Sequence, residues 1–388
     1  MAELKVSGGK QSSQGPFCMW QGIGLPKWLE FRRMHPPMDW GNWLKISLTN
    51  AAAVNNSCLG SIENLIYGGR VRAHQPKSPV FILGHWRSGT TLLHETLSSD
   101  PQFTTTSLYH VLAFHHFLLT EKVVTGLTGR FLPKTRPMDN MEVSWQAPQE
   151  DESILCNLTL LSPYLMLAFH GNTAVYERFF DLQSLNEREL QQWKDAFLLM
   201  MKKITLKNNK RPLLKSPTHS YRVKVLLEMF PDAKFINIVR NPYAVFPSTV
   251  NLRKQMFREN GFANPDYLTI EEDVFHTYEL LFRTMDRDVP SIPQGQYCEV
   301  KYEEYEQDIL GQTKKIYDEL QFEGWSRLEP IIQSQLAARK AYKKNKFKME
   351  ESLQRQIYER LKFVFEKYGY PSDLPGDPAT VAASTAGT

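Results

Sequence analysis

Two glycines that enclose a short polar loop are the first residues whose spacing is typical of a chemical function. Gly84 and Gly89 are separated by four residues; the apolar run Val80–Leu83 precedes them, and a helical pattern follows through Ser99. A loop between a strand and a helix presents backbone N–H groups and a helix N-terminus, and both bind phosphate. The spacing therefore predicts a phosphate-binding loop.

This loop lacks the residues with which a nucleoside triphosphatase holds its nucleotide. Such an enzyme needs a Lys after the second Gly to reach the β- and γ-phosphates, followed by a Ser or Thr that holds Mg²⁺. Here Thr90 occupies the position of the Lys, and Arg87 lies two residues before Gly89. The loop suits a ligand with a single 5′-phosphate that carries another anion, and it suits ATP hydrolysis poorly.

A stretch that begins inside this loop resembles the 5′-phosphosulfate loop of sulfotransferases that use 3′-phosphoadenosine 5′-phosphosulfate (PAPS). Its residues are Arg87, Ser88, Gly89, Thr90, Thr91 and Leu92. A second stretch has Arg240 at a predicted strand end and Ser248 eight residues later, and it resembles the 3′-phosphate site of the family. Lys215, at the end of an intervening strand, resembles the Lys that contacts the transferring sulfonate. The resemblance covers roughly residues 79–370 and best matches the bacterial branch of the superfamily.

The resemblance implies an α/β fold of the P-loop NTPase type. In this three-layer fold, helices flank a central parallel sheet, and many additional helices surround it. The pattern independently favours a parallel sheet, because strand-then-helix units begin at residues 79, 211 and 234 and parallel strands need crossover connections. Residues 100–205 are mostly helical in pattern, and residues 296–302 form a further strand candidate.

The family's reaction moves a sulfonate from PAPS to a hydroxyl group and leaves adenosine 3′,5′-bisphosphate (PAP). We expect Arg87 and the loop amides to bind the 5′ end of the donor. We expect Arg240 and Ser248 to bind the 3′-phosphate, since a guanidinium binds phosphate in a planar, bidentate manner. Arg253 would add a cation there, and Tyr302 resembles the family Tyr near the nucleotide. We assign no metal, because these cations meet the charge of the donor.

A basic segment lies near the C-terminus. Six of the ten residues at positions 339–348 are Lys or Arg. Such a run is a solvated helix end, an RNA-attracting patch or, as in sulfotransferases, a segment that closes over the 3′-phosphate. Under the last interpretation, Lys343 and Lys346 are the expected ligands.

Transfer to a hydroxyl group also needs a base that takes the acceptor proton. His219 is one candidate. It lies four residues beyond Lys215, whereas the His of the animal cytosolic sulfotransferases lies two residues beyond the corresponding Lys. The acidic run that ends in Glu150, Asp151 and Glu152 opens an apolar helix, where crowded carboxylates raise one another's pKa. Alternatively, these acids only favour the positive end of that helix. We favour Glu150 or Glu152, with Asp151 behind them, over His219.

Composition limits the class of protein. The chain has 388 residues, of which 42% are hydrophobic and 23% charged, so it should fold. Lys and Arg exceed Asp and Glu by only four, which does not predict nucleic-acid binding. Four scattered Cys indicate neither a disulfide framework nor a zinc site and favour the cytoplasm. No apolar run is long enough to span a membrane, although the aromatic N-terminal region is compatible with peripheral membrane contact.

The chain divides by character into three parts. Residues 1–78 form a helical arm that covers the acceptor site or supports a homodimer, residues 79–370 form the sulfotransferase domain, and residues 371–388 form a tail expected to be disordered. The acceptor is a small molecule or glycan with a hydroxyl group, and its identity stays open. Two other hypotheses are a small-molecule or nucleotide kinase with an altered loop and an inactive protein that binds PAPS or PAP.

Overall fold

Five parallel strands form the centre of the molecule. The computed structural model describes residues 15–129, 144–338, 349–372 and 374. Its strands are β1 (Val80–Leu83), β2 (Phe103–Thr104), β3 (Arg211–Lys215), β4 (Lys234–Val239) and β5 (Tyr297–Lys301). They lie in the order β2-β3-β1-β4-β5, and each neighbouring pair is parallel. The predicted α/β fold with a parallel sheet is confirmed, and the carboxyl ends of the strands meet at one edge.

Helices surround this sheet. In the described residues the α-helices are α1 (Leu25–Arg33), α2 (Trp43–Ala73), α3 (Thr90–Ser98), α4 (Leu108–Ala113), α5 (Phe117–Thr128), α6 (Glu152–Thr159), α7 (Thr173–Tyr176), α8 (Glu187–Thr205), α9 (Val223–Met229), α10 (Pro242–Asn260), α11 (Ile270–Asp288), α12 (Tyr302–Gln307), α13 (Ile309–Glu319), α14 (Trp325–Ala338) and α15 (Glu351–Tyr368). Short 3₁₀ helices include Met19–Gly22, Pro163–Leu167 and Pro217–Tyr221. None of the helices in these ranges combines the length and apolar character needed to cross a bilayer.

The two faces of the sheet bury separate apolar cores. Along β1, Phe81 and Leu83 belong to one cluster, whereas Val80 and Ile82 belong to the other. Side chains alternate between faces along a strand, so a continuous apolar run fills both cores. Helices α8 to α11 pack in the first cluster, and α3, α13 and α14 pack in the second.

Residues 18–31 contribute side chains to the first of these cores. Trp20, Trp28 and Phe31 are buried and form ring contacts among themselves and with Phe262, which follows α10. The indole N–H of Trp20 also donates to the carbonyl of Asn260, at 2.8 Å. In the described residues, the predicted arm therefore shares the core of the sheet.

Three elements differ from the sequence-based expectation. The short strand β2 lies in a region predicted to be mostly helical. The pattern after Arg240 predicts a helix that ends near Arg253, whereas α10 continues to Asn260. Tyr302 begins α12 instead of ending a strand. Of the predicted tail, the structure describes residues 371, 372 and 374.

Candidate active site

Several of the predicted site residues, from separate parts of the chain, lie at the carboxyl edge of the sheet. In the sheet register, Ile82 of β1 lies opposite Lys215 of β3, and Leu83 lies opposite Asn237 of β4. The loop after β1 therefore lies between the ends of β3 and β4. Ligands of open α/β sheets bind at this edge.

The loop after β1 is held closely by its neighbours. Gly84 has φ +138° and Gly89 has φ +106°, a region in which side chains are strained. A Cβ atom at Gly89 would lie 2.2 Å from Cδ2 of Tyr302, so the ring of Tyr302 fills the space beside this glycine. The buried Ser88 hydroxyl donates to the His85 carbonyl at 2.8 Å and closes the turn.

Helix α3 begins directly after this loop. Gly89 is its N-cap, and the predicted residues Thr90, Thr91 and Leu92 form its first turn. The first N–H groups of a helix have no partner within it, and the helix dipole places partial positive charge at this end. The arrangement fits the phosphosulfate end of the donor.

Arg87, Arg240 and Ser248 form one group on the β4 side of the loop. The Nε–H of Arg87 donates to Oγ of Ser248 at 2.9 Å, and Nη1 of Arg240 donates to the carbonyl of Arg87 at 3.1 Å. The guanidinium of Arg240 lies 4.0 Å from the ring centroid of Tyr302. Arg87 has φ +68°, so its backbone is in the left-handed region. We expected Arg87 at the 5′ end of the donor, whereas its guanidinium here joins the residues predicted for the 3′-phosphate.

Arg253 is buried beneath the loop. Its Nη2 donates to Oγ1 of Thr277 at 2.7 Å, and its guanidinium lies 5.6 Å from the ring centroid of Trp86. Burial lowers its pKa from the ordinary value of an arginine. These contacts support Trp86 within the loop, while Nε of Arg253 is buried without a hydrogen-bond partner among the described residues.

Lys215 and Glu150 form an ion pair on the opposite side of the loop. Nζ of Lys215 lies 2.9 Å from Oε1 of Glu150, and the hydroxyl of Tyr164 donates to Oε2. The Lys215 side chain is almost fully buried, whereas the Glu150 side chain keeps 24% of its surface exposed. Burial, and then the Glu150 charge, raise the pKa of Tyr164 well above its usual value. This group combines a cation, a hydroxyl donor and an accessible carboxylate.

Backbone pairing positions Glu150 beside the strand ends. Ser107 pairs with Pro148 in an antiparallel bridge, and the amide of Gln149 donates to the carbonyl of Thr106 at 2.9 Å. The hydroxyl of Thr106 donates back to the Gln149 carbonyl at 2.7 Å. Because these residues follow β2, the pairing holds Glu150 at the carboxyl edge of the sheet.

Glu152 is enclosed in a buried ion pair. Nη1 and Nη2 of Arg222 donate to its two oxygens at 2.6 and 3.0 Å, and the hydroxyls of Ser162 and Thr218 donate at 2.6 and 2.8 Å. Glu152 and Arg222 are both fully buried. Each carboxylate oxygen therefore accepts two bonds, and this geometry fits a structural role better than proton exchange with an acceptor.

His219 is also buried. Its Nε2 lies 2.8 Å from Oδ2 of Asp151, and its ring packs 5.2 Å from that of Phe81. Burial would raise the pKa of Asp151, but His219 and the hydroxyl of Ser216 outweigh that effect and lower it. This pair links the start of α6 to the segment after β3 and lies within the first core, so its geometry too fits a structural role.

Sequence reasoning did not select Tyr164 and His94. Tyr164 is 14 residues from Glu150 and returns to it because the chain reverses at Leu160, which has φ +59°. His94, on α3, has its Nε2 2.7 Å from the hydroxyl of Thr105, and burial together with the Lys215 charge lowers its pKa to about 3. No local pattern indicates either contact, since both depend on the fold.

Two predicted residues, Lys343 and Lys346, lie outside the described residues. Within the described ranges, no group of three or more His, Cys, Asp or Glu side chains could hold a metal ion. Around the loop, the charge of a phosphosulfate donor would instead meet the α3 N-terminus, Lys215 and the Arg240 group. These residues fit PAPS.

Comparison with known proteins identifies relatives along nearly the whole chain. A sequence model of the sulfotransferase family matches residues 79–327. The chain is 36% identical over 371 residues to the omega-hydroxy-beta-dihydromenaquinone-9 sulfotransferase Stf3 of Mycobacterium bovis, and the match covers 95% of each chain. The Stf3 protein of Mycobacterium tuberculosis matches to the same extent.

Solved structures share the fold at lower identity. Sulfotransferase STF9 from Mycobacterium avium has a TM-score of 0.63 and 17% identity, with 86% of this chain and 87% of that chain covered. Sulfotransferase STF1 from M. tuberculosis H37Rv has a TM-score of 0.58 and 17% identity, with 81% and 84% covered. The chain belongs to the sulfotransferase family, and it is an enzyme that transfers a sulfonate group from PAPS to a hydroxyl acceptor.

Proposed function

We propose that this enzyme sulfates the hydroxyl group of a long, apolar isoprenoid lipid, and that Glu150 takes the proton from that hydroxyl. The name of the mycobacterial relative, whose match covers nearly the whole chain, supports the acceptor class. A menaquinone with an omega-hydroxyl group is a lipid alcohol. The observation that carries the mechanism is the Lys215–Glu150 ion pair beside the N-terminus of α3.

The donor residues divide between its two ends. The amides of the α3 first turn and Lys215 hold the phosphosulfate, while Arg240, Ser248 and Arg87 hold the 3′-phosphate. Charge-assisted hydrogen bonds of this kind are about twice as strong as neutral ones, which favours a donor with phosphate at both positions. A kinase is not favoured, because Thr90 stands where a kinase loop needs Lys.

Glu150 and Lys215 act together in the proposed reaction. Glu150 accepts the acceptor proton while the acceptor oxygen bonds to sulfur and the bond from sulfur to the phosphate oxygen breaks. Lys215 balances the negative charge that develops on the sulfonate and the departing oxygen. Tyr164 orients Glu150 through its hydrogen bond. The products are a sulfate ester, PAP and a proton.

An acceptor comparison tests this proposal. The enzyme would be incubated with PAPS and either an omega-hydroxy isoprenoid, a phenol or a sugar, and sulfated products would be measured by mass spectrometry. We expect the isoprenoid to be sulfated most efficiently and a Glu150→Gln variant to lose that activity. Faster sulfation of the sugar or phenol would contradict the acceptor class, and undiminished activity of Glu150→Gln would contradict the base.

Calorimetry separates donor recognition from the acceptor question. The enzyme would be titrated with PAP and with ADP, first without metal and then with Mg²⁺. We expect tighter binding of PAP in both conditions, because only PAP carries a 3′-phosphate for the Arg240 group. Preference for ADP with Mg²⁺ would contradict the proposed assignment of that group.

A further inference from the structure

Helix α2 buries several polar side chains and exposes most of its large apolar ones. Lys45, Thr49, Asn56 and Glu63 are all buried, and they recur along the face that contacts the rest of the protein. A surface helix of a globular protein ordinarily has the opposite arrangement. The inversion needs an explanation on both faces.

The buried polar face is explained by specific partners within the chain. Nζ of Lys45 donates to the carbonyl of Gly261 at 2.9 Å, and the Asn56 side chain donates to the carbonyl of Ile23 at 2.9 Å. Glu63 pairs with the buried Lys203 at 2.6 Å. Each group is hydrogen-bonded, so burial of these side chains is compensated. These bonds also fix which face of α2 points outward.

Contacts within the described part of the chain do not explain the apolar side chains on the exposed face. Trp40 is 90% exposed and Leu65 is 87% exposed. Between positions 43 and 69 the only charged residues are Lys45 and Glu63, and both point inward. The α2 outer face is defined by exposed apolar side chains on α2, on the residues before it and on the adjacent α5: Trp40, Trp43, Leu44, Val54, Ile62, Leu65, Ile66, Val123 and Leu127.

The two ends of α2 carry residue types that favour a membrane surface. Trp40 and Trp43 lie at its start, while Arg70 and Arg72 are exposed in its last turn. Aromatic rings prefer the boundary between headgroups and acyl chains, and arginines attract anionic headgroups. An apolar face with cationic and aromatic ends matches a helix that lies in the interface.

We propose that the α2 outer face docks the enzyme on the surface of a bilayer that contains anionic lipid. This inference rests on the proposed function, because a lipid acceptor gives the enzyme a reason to bind a membrane. The position of the docking surface on the protein is inferred from the polarity of α2. The α5 part of this face is connected in sequence to the site, because α5 follows residues 106 and 107, which pair with residues 148 and 149 directly before Glu150.

Vesicle flotation tests the docking surface. Full-length protein would be mixed with vesicles of phosphatidylcholine alone and with about 30 mol% phosphatidylglycerol, at low and high salt. We expect the wild type to bind the anionic vesicles and to bind them less at high salt. The double variant Val54→Asp, Leu65→Asp should bind the same vesicles more weakly than the wild type by roughly tenfold or more. The matched control is Leu268→Asp, at a residue that is 79% exposed but outside this face. It should bind vesicles like the wild type.

Two further readouts separate this proposal from its alternatives. PAP affinity should be unchanged in every variant, which shows that the fold is retained. Light scattering would detect a dimer that dissociates in the Val54→Asp, Leu65→Asp variant, and that result would overturn membrane docking in favour of self-association. Absence of wild-type binding to all vesicles would also overturn it. Vesicle binding without sulfation of any lipid alcohol would leave docking standing and contradict the proposed function.

Discussion

The two halves of the carboxyl edge are built from the chain in different ways. On the half that we propose binds the donor, Arg87 lies in the loop after β1, Arg240 follows β4 directly, and Ser248 lies on α10, the helix that begins two residues later. On the half that we propose binds the acceptor, Lys215 ends β3, but Glu150 and Tyr164, which complete its group, come from a loop and a 3₁₀ helix. Anion binding needs local geometry, whereas the candidate base needs side chains from distant segments.

A second contrast lies within the acceptor half itself. Glu150 and Glu152 are two residues apart, yet one is partly exposed beside Lys215 and the other is sealed against Arg222. Helix α6 begins at Glu152, whereas Glu150 lies in the loop before it, so their side chains point to different surroundings. Exposure and partners, rather than residue type, decide which carboxylate can exchange a proton. Four substitutions test these contrasts.

Glu150→Gln should have the largest effect. The amide keeps the shape of the side chain but cannot take a proton, so kcat should fall by roughly 10²–10⁴-fold. Steady-state kinetics with PAPS and a lipid alcohol would measure it. PAP affinity and the thermal unfolding midpoint should stay at wild-type values. A kcat within about threefold of wild type would show that another group is the base.

Arg222→Met should destabilise the fold and leave Glu152 as an uncompensated buried charge. Removal of one partner of a buried ion pair costs about 3–5 kcal/mol of unfolding free energy. Urea denaturation would measure the loss, with Lys224→Met as the control because Lys224 is exposed on the same segment. A loss below about 1 kcal/mol would contradict the structural role of this pair.

Arg240→Ala should weaken donor recognition at the 3′-phosphate. A hydrogen bond to a charged group contributes about 1.5–3 kcal/mol, so PAP affinity should fall roughly 10- to 150-fold. Calorimetry would measure it, and affinity for adenosine 5′-phosphate should change much less. Arg283→Ala, at an exposed position of α11, provides the charge-matched control. Equal losses for both nucleotides would place Arg240 away from the 3′-phosphate.

Ser248→Ala should have the smallest effect of the four. It removes one hydroxyl that Arg87 contacts in the structure, and a neutral hydrogen bond contributes about 0.5–1.5 kcal/mol. PAP affinity should therefore fall by roughly two- to tenfold. A loss as large as that of Arg240→Ala would show that Ser248 also fixes the conformation of Arg87.

The sequence predicted the long strands of the sheet more completely than the segments that position Glu150, for physical reasons. The runs 80–83 and 234–239 are mostly apolar, and Leu213 and Leu214 of the run 211–215 lie in opposite cores, as in buried parallel strands. The structure confirms all three strands. The two-residue strand β2 has no such run, because it pairs only with the start of β3. Because the sequence does not predict β2, it also does not predict the pairing of residues 106 and 107 with 148 and 149, which positions Glu150.

The individual roles of the acidic residues could not be read from their order. Glu150, Asp151 and Glu152 are adjacent, but their partners Lys215, His219 and Arg222 come from a segment more than sixty residues away. The spacing of that segment sets which cation meets which carboxylate. Sequence reasoning recognised an acidic cluster at a helix start, and only the fold separates its three members.

The contact between Gly89 and Tyr302 limits how the enzyme can be recombined. The ring of Tyr302 fills the space that a Cβ atom at Gly89 would need. The guanidinium of Arg240 lies 4.0 Å from the centroid of the same ring. The loop, the end of β4 and the start of α12 thus form one unit, although more than two hundred residues separate its ends. A chimaera that joins two relatives between these segments must inherit all three positions from compatible parents. Crossover points before residue 79 or after α12 leave this unit whole.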